Sequence, residues 1–129
     1  MKKWIPIIIL IFVSCSFTSY NNEYEEATIS SYIEIYPSFE LLSENQKTNK
    51  LKEECNVLED EMLVHVDDGL TLNYFLEYEY YKYRFQGGSP EQVEDLLFPL
   101  FYLCGLDEII EKHWDSLDYQ EENYKKISG

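Results

Sequence analysis

Basic residues are scarce in this sequence. It has ten Lys and Arg residues against 25 Asp and Glu residues, and its formal net charge at pH 7 is −15. A nucleic-acid-binding protein neutralises phosphates with a basic surface, so this composition argues against nucleic acid as a partner. It also argues against electrostatic attachment to an anionic membrane. A strongly acidic protein is suited to a basic partner, through steering and complementary surface charge.

Residues that indicate catalysis or metal binding are also few. The two histidines, His65 and His113, each lack a second His or Cys at the spacing of metal ligands. The Asp-Asp-Gly stretch at 67–69 lacks the other ligands of a calcium loop. No lysine follows the Gly-Gly-Ser stretch at 87–89 to make a phosphate-binding loop. We therefore expect a protein that is not an enzyme and needs no metal or cofactor.

A long hydrophobic run is missing as well. The segment from Trp4 to Val13 is almost entirely apolar but spans ten residues, whereas a helix needs about 20 to cross a bilayer. Lys2 and Lys3 precede it and small polar residues follow it. This arrangement is typical of a secretory signal peptide.

The end of that segment, Phe12-Val13-Ser14-Cys15, resembles the lipobox of bacterial lipoproteins. The resemblance implies cleavage before Cys15, a diacylglycerol on its sulfur and, often, an acyl chain on its new amino group. Two or three acyl chains anchor a protein stably. It implies a place in the cell envelope facing the periplasm, at the outer membrane in a Gram-negative host because Ser16, not Asp, follows the cysteine. The alternatives are an ordinary cleaved signal or an uncleaved anchor.

The sequence predicts one domain after the leader. Residues 1–14 form the signal peptide, 15–24 the lipidated cysteine and a tether, and 25–129 a single globular domain. Removal of residues 1–14 leaves eight basic and 25 acidic residues, a net charge of −17. With Cys15 occupied by lipid, two cysteines remain. Cys55 and Cys104 either form a disulfide in an oxidising compartment or stay as inert buried thiols.

Helices are predicted at both ends of the domain. Two N-terminal segments have apolar residues at helical spacing, although residues 32–36 also alternate like a strand. Toward the C-terminus, start signals precede a helix that ends at Cys104, in which Pro99 removes one backbone hydrogen bond. Asp107 can cap a second short helix. The two N-terminal segments have Ile29, Tyr32, Ile33 and Tyr36, and Leu51, Cys55, Leu58 and Met62. The start signals are Ser89, Pro90 and Gln92, and the short last helix has Ile109 and Ile110.

The middle of the chain has the pattern of a small antiparallel sheet. "MLVHV" and "LTLNYF" flank the Asp-Asp-Gly stretch, which predicts a β-hairpin. Apolar residues alternate from Leu70 to Tyr80 and then change parity, so we expect a Tyr-rich hairpin or one bulged strand. A last edge strand is expected within 117–124. The fold class predicted from the sequence is therefore α+β.

Residues 62–124 resemble small secreted bacterial proteins of unknown function. Val66-Asp67 and Thr71-Leu72 carry the resemblance. It implies a hairpin, a Tyr-rich strand, a helix ending in Cys and a final strand, and it brings no activity with it.

The density of aromatic residues in the middle segment points to protein binding. A small sheet cannot bury so many rings, and tyrosines beside carboxylates are typical of an exposed interface. The predicted surface consists of Tyr74, Tyr78, Glu79, Tyr80, Tyr81 and Tyr83. We therefore expect a lipid-anchored envelope protein that inhibits, or gives immunity to, a basic toxin or cell-wall hydrolase. The alternative is a structural accessory subunit of an envelope complex.

Overall fold

The chain is helical throughout the part that the structure describes. The computed structural model describes residues 20–128, so the predicted signal peptide and Cys15 lie outside the described residues. The six α-helices of this part are α1 (Glu25–Ile35), α2 (Glu44–Asp67), α3 (Leu72–Phe85), α4 (Pro90–Leu103), α5 (Asp107–His113) and α6 (Gln120–Ser128). Short 3-10 turns occupy Asn22–Tyr24, Pro37–Leu41 and Trp114–Tyr119. Residues 20–128 contain no strand, and the predicted α+β class is wrong.

Two capping boxes start the long helices. Ser89 Oγ accepts from the backbone N–H of Gln92, whose side chain accepts from the Ser89 N–H, and Pro90 takes the first helical position. This start of α4 was predicted correctly. Ser43 and Gln46 form the same box before α2, so the polar stretch that follows Ser43 begins a helix.

The predicted hairpin turn is a helix C-terminus followed by a helix N-terminus. Gly69, with φ 80°, ends α2, and the N–H of Leu70 donates to the carbonyl of His65 at 2.8 Å. Thr71 then caps α3, since its hydroxyl accepts from the N–H of Tyr74 at 3.3 Å. The valine-rich run before the glycine belongs to the last turns of α2. The hairpin implied by the resemblance to small secreted proteins is therefore absent from this segment.

The Tyr-rich segment is helix α3. Its buried side chains recur at helical spacing, on positions Phe75, Leu76, Glu79, Tyr80 and Tyr83. Because one of these core positions holds a glutamate, the apolar residues alone do not show the helical period, and the strand-like alternation dominates the sequence. The predicted edge strand within 117–124 is also wrong, since those residues lie in a 3-10 turn and in α6.

Helix α4 lies at the centre of the core. It packs against α1, α3 and α5, and its inner face is fully buried. Full burial of each such aliphatic side chain contributes about 1.5–3 kcal/mol. The buried side chains of α4 are Val93, Leu96, Leu97, Leu100, Phe101 and Leu103. The start of the described chain also packs on α4, because the N–H of Asn21 donates to the carbonyl of Leu103 at 2.7 Å.

Pro99 links α4 to α1. Proline has no N–H, so the carbonyl of Asp95 loses its partner within the helix. The hydroxyl of Ser31, on α1, donates to that carbonyl at 3.1 Å. The hydrogen bond that proline removes from the helix is thus replaced by one between helices.

A disulfide joins α2 to the end of α4. The sulfurs of Cys55 and Cys104 are 2.08 Å apart and their Cα atoms 5.2 Å apart. The bridge spans 49 positions of sequence and encloses α3 in a covalent loop. Of the two alternatives that the sequence left open, the structure contains the bridge.

Candidate functional site

The structure divides the predicted tyrosine surface between the exterior and the core. Tyr74 and Tyr78 are 51% and 41% exposed, and Tyr81 is half-buried. The other three residues, Glu79, Tyr80 and Tyr83, are at most 1% exposed. Those three were wrongly placed on the surface, because a helix puts them on the inner face of α3.

The exposed tyrosines form part of a surface between α2 and α3 that we call the Tyr78 surface. Tyr78 separates two shallow depressions of about 350 and 130 Å³. The surface consists of Asp60, Glu61, Val64, His65, Tyr74, Glu77, Tyr78 and Tyr81.

The Tyr78 surface combines apolar groups with acidic ones. Val64 is 56% exposed beside the aromatic rings, and the three carboxylates belong to Asp60, Glu61 and Glu77. No lysine or arginine lines either depression. The surface therefore offers apolar contact area within a negative field.

His65 holds this surface in place from beneath. Its Nδ1 donates to the carbonyl of Glu61 at 2.8 Å. Its ring lies 5.0 Å from that of Tyr78 and 5.8 Å from that of Tyr74, measured between centroids. His65 is buried and serves packing. Within residues 20–128 no group of His, Cys, Asp or Glu side chains could hold a metal ion.

A cluster of charges shares Glu61 with the Tyr78 surface, and we call it the Lys82 cluster. It consists of Glu54, Glu61, Glu79 and Lys82. Lys82 Nζ lies 3.0 Å from carboxylate oxygens of both Glu61 and Glu79, and 3.7 Å from Glu54. The hydroxyl of Tyr83 donates to Glu54 at 2.6 Å. One ammonium thus faces three carboxyl groups.

Glu79 is the most unusual member of this cluster. It is 0% exposed, and neither of its oxygens has a partner of hydrogen-bond geometry, although Lys82 Nζ is within ion-pair distance. Burial, and next the neighbouring carboxyl group of Glu61, raise the pKa of Glu79 to about 9. These influences favour the protonated form of Glu79.

Glu61 has the opposite character. Burial alone would raise the pKa of Glu61, but the neighbouring Glu79 and the ammonium of Lys82 outweigh burial and lower that pKa. Glu61 belongs both to the Lys82 cluster and to the larger depression beside Tyr78.

Sequence reasoning missed a second groove, which lies between α1 and α4. Its volume is about 560 Å³, and Phe98 projects into it with 45% exposure. The Phe98 ring stacks on Tyr102 at 4.9 Å and meets Trp114 edge-on at 5.8 Å. Phe98 falls outside the helical series of buried residues in α4, and that was the signal available in the sequence. The lining residues are Tyr24, Ala27, Ser31, Glu94, Asp95, Phe98, Pro99 and Trp114.

Arg84 is committed to holding α6. Its guanidinium forms two bonds with the carboxylate of Glu121, at 3.0 and 2.8 Å, and lies 3.9 Å from the centre of the Tyr124 ring. The hydroxyl of Tyr80 donates to the same carboxylate at 2.9 Å. Lys82 and Arg84, the two cations of α3, are thus both engaged within the domain.

Comparisons with known proteins give no functional assignment. No family model, no curated protein and no solved structure matches this chain. Among the described helices, none is long and apolar enough to cross a membrane.

Proposed function

We propose that this protein is a non-enzymatic, lipid-anchored envelope protein that binds a basic protein through the Tyr78 surface. One observation carries the proposal: exposed Tyr74, Tyr78 and Val64 share a surface with three carboxylates, and no Lys or Arg lines its two depressions. Tyrosine rings supply large, rigid contact areas, and acidic groups around them attract and orient a cationic partner. A secreted toxin or cell-wall hydrolase with a basic cleft fits these properties.

The net charge supports the same kind of partner. The protein has 15 more acidic than basic residues, and such an imbalance accelerates encounter with a basic protein and makes the encounter sensitive to salt. Binding would place the Tyr78 ring and its neighbouring carboxylates over the partner's cationic site and exclude its substrate. The protein would then inhibit its partner, or give immunity to it, by occlusion.

The proposed membrane anchor is Cys15. Its support is the resemblance of residues 12–15 to a lipobox. A Cys15→Ser variant should move from the membrane fraction to the soluble fraction and lose labelling by radioactive palmitate. A variant that stays labelled and membrane-bound would refute the lipid anchor.

Affinity capture from the envelope tests the binding surface. The wild-type protein should capture a basic protein at low salt and release it at high salt. Tyr78→Ala and Asp60→Lys should each abolish capture, because they remove an exposed ring and reverse a charge on the surface. Leu41→Ala and Glu53→Lys are matched controls, since both residues are exposed and lie outside the surface.

Two outcomes would contradict this proposal. The first is capture of the same protein by Tyr78→Ala as by wild type. The second is a complex that survives high salt and that the protein requires for solubility, which would favour the accessory-subunit alternative. Purified partner and purified protein should also form a complex of defined size in solution.

A further inference from the structure

Glu61 belongs both to the depression beside Tyr78 and to the Lys82 cluster, in which Glu79 is the fully buried member. Its carboxylate contacts Lys82 Nζ at 3.0 Å, and the same residue lines the depression beside Tyr78 with Asp60, Val64 and His65. The side chain of Glu61 is 25% exposed, whereas that of Glu79 is completely buried. A group that enters the depression therefore meets Glu61 first and acts on Glu79 through it.

The cluster has more negative groups than one cation can neutralise. Three carboxyl groups surround Lys82, and Glu79 has no hydrogen-bond donor directed at either oxygen. Buried polar groups in folded proteins are almost always satisfied, and like charges at this separation cannot all ionise. A proton on Glu79 resolves the imbalance in the free protein. A second cation would resolve it equally well.

We infer that the depression beside Tyr78 receives one lysine or arginine side chain of the partner, which binds Glu61 and displaces the proton of Glu79 to solvent. The inference rests on the proposed function and names the chemistry that the Tyr78 surface recognises. The Tyr78 ring provides a cation–π contact, and Asp60 provides a second carboxylate. A planar guanidinium can bond both oxygens of Glu61.

The exchange links binding to pH. One O–H bond of Glu79 breaks, its electrons remain on the carboxylate, and the proton enters solvent as the cation binds. By linkage, the affinity for the cation increases by at most about tenfold per pH unit. This dependence holds in the pH range where Glu79 is protonated in the free protein and ionised in the complex. The groups that face the cluster are Glu54, Glu61 and His65 from α2, Lys82 and Tyr83 from α3, and Tyr32 from α1, with Tyr36 beyond it.

Methylguanidinium and methylammonium are suitable probes, because each presents one cation without the rest of a partner. We would follow the carboxyl carbon of Glu79 by NMR through a pH titration of the mature lipoprotein in detergent. About 50 mM methylguanidinium chloride should lower the titration midpoint by about 0.5 pH unit relative to sodium chloride at equal ionic strength, as expected for a site with a Kd near 20 mM. The methylammonium arm distinguishes recognition of lysine from recognition of arginine.

Two variants test whether the shift of the titration midpoint depends on Glu61. Glu61→Gln should abolish the midpoint shift, and Glu53→Gln, the same charge change elsewhere on α2, should leave it intact. Amide signals of Asp60, Val64 and Tyr78 should move with the probe, which gives a second readout if Glu61→Gln perturbs the fold. An unchanged midpoint with both probes, or the same shift in Glu61→Gln, would overturn the inference. Envelope capture that still depends on Tyr78 would then leave the proposed function standing.

Discussion

Replacing Glu79 with glutamine should stabilise the protein at neutral pH. The glutamine amide has the shape of a protonated glutamate, so its N–H group can donate to Glu61 and its oxygen can accept from Lys82. In the wild type the pKa of Glu79 is raised to about 9, mainly by burial. A carboxyl group in the unfolded chain ionises near pH 4.5. Unfolding above that pH therefore releases a proton, and release favours the unfolded state.

The magnitude follows from this difference in pKa. The folded pKa lies above the unfolded one, so the contribution of Glu79 to stability is fully present below about pH 4.5 and is lost as pH rises toward about 9. Each pH unit in that window removes about 1.4 kcal/mol. At pH 7 the wild type has lost about 3 kcal/mol that Glu79→Gln retains. The advantage of the variant should vanish near pH 4.5 and reach about 5 kcal/mol at pH 8.5.

Urea unfolding at several pH values measures this difference. Urea is preferable to guanidinium chloride because guanidinium is itself a cation that the depression is inferred to bind. The lowered pKa of Glu61 makes stability fall as pH decreases. The variant should keep this contribution, because the glutamine amide can donate to Glu61. Glu53→Gln is the control and should show no pH-dependent difference. A Glu79→Gln variant less stable than wild type at every pH would refute the reasoning, because it would mean that Glu79 is an anion paired with Lys82.

Two further predictions concern links between helices. Removal of the bridge by Cys55→Ser with Cys104→Ser should lower the free energy of unfolding by about 4 kcal/mol, the chain-entropy value for a loop of this size, as measured in urea; a loss below about 1 kcal/mol would contradict it. Ser31→Ala should cost about 0.5–1 kcal/mol in the wild type but almost nothing in a Pro99→Ala background, because the alanine introduced there restores the N–H that bonds the Asp95 carbonyl. Equal costs in both backgrounds would show that the two hydrogen bonds do not substitute for each other.

Local start signals made α4 predictable. Ser89, Pro90 and Gln92 all contribute to the helix start in the way that their positions in the sequence indicate. Such signals depend only on neighbouring residues, so they can be recognised without knowledge of the tertiary structure. The buried series that follows them contains no polar residue, and its period is therefore unambiguous.

Helix α3 could not be predicted, because a polar residue interrupts the apolar period of its buried face. A glutamate occupies one of its core positions, and Glu79 is tolerated there because Lys82 and Glu61 meet it within the folded domain. That arrangement depends on how α2 packs against α3, which the local sequence pattern does not show. Without it, the alternation of residues 70–80 is the stronger pattern.

The same error explains the mixed result at the candidate site. In a strand, Tyr78 and Tyr80 share a face and Glu79 lies opposite them; in a helix, Glu79 and Tyr80 turn inward while Tyr78 remains outside. Of the predicted surface residues, Tyr74 and Tyr78 have exposed rings in the helix. Which of the remaining residues face solvent depended on the type of secondary structure.

For the export and lipidation proposed above, the bridge between α2 and α4 implies an order of events. An exported chain crosses the membrane from its N-terminus, so Cys55 reaches the envelope while Cys104, 49 positions later, is still behind it. During that interval the one other cysteine outside is Cys15. Early acylation of Cys15 would remove the competing thiol, so that Cys55 stays unpaired until α3 and α4 have been translocated. Lipid attachment would then protect the correct pairing as well as anchor the protein.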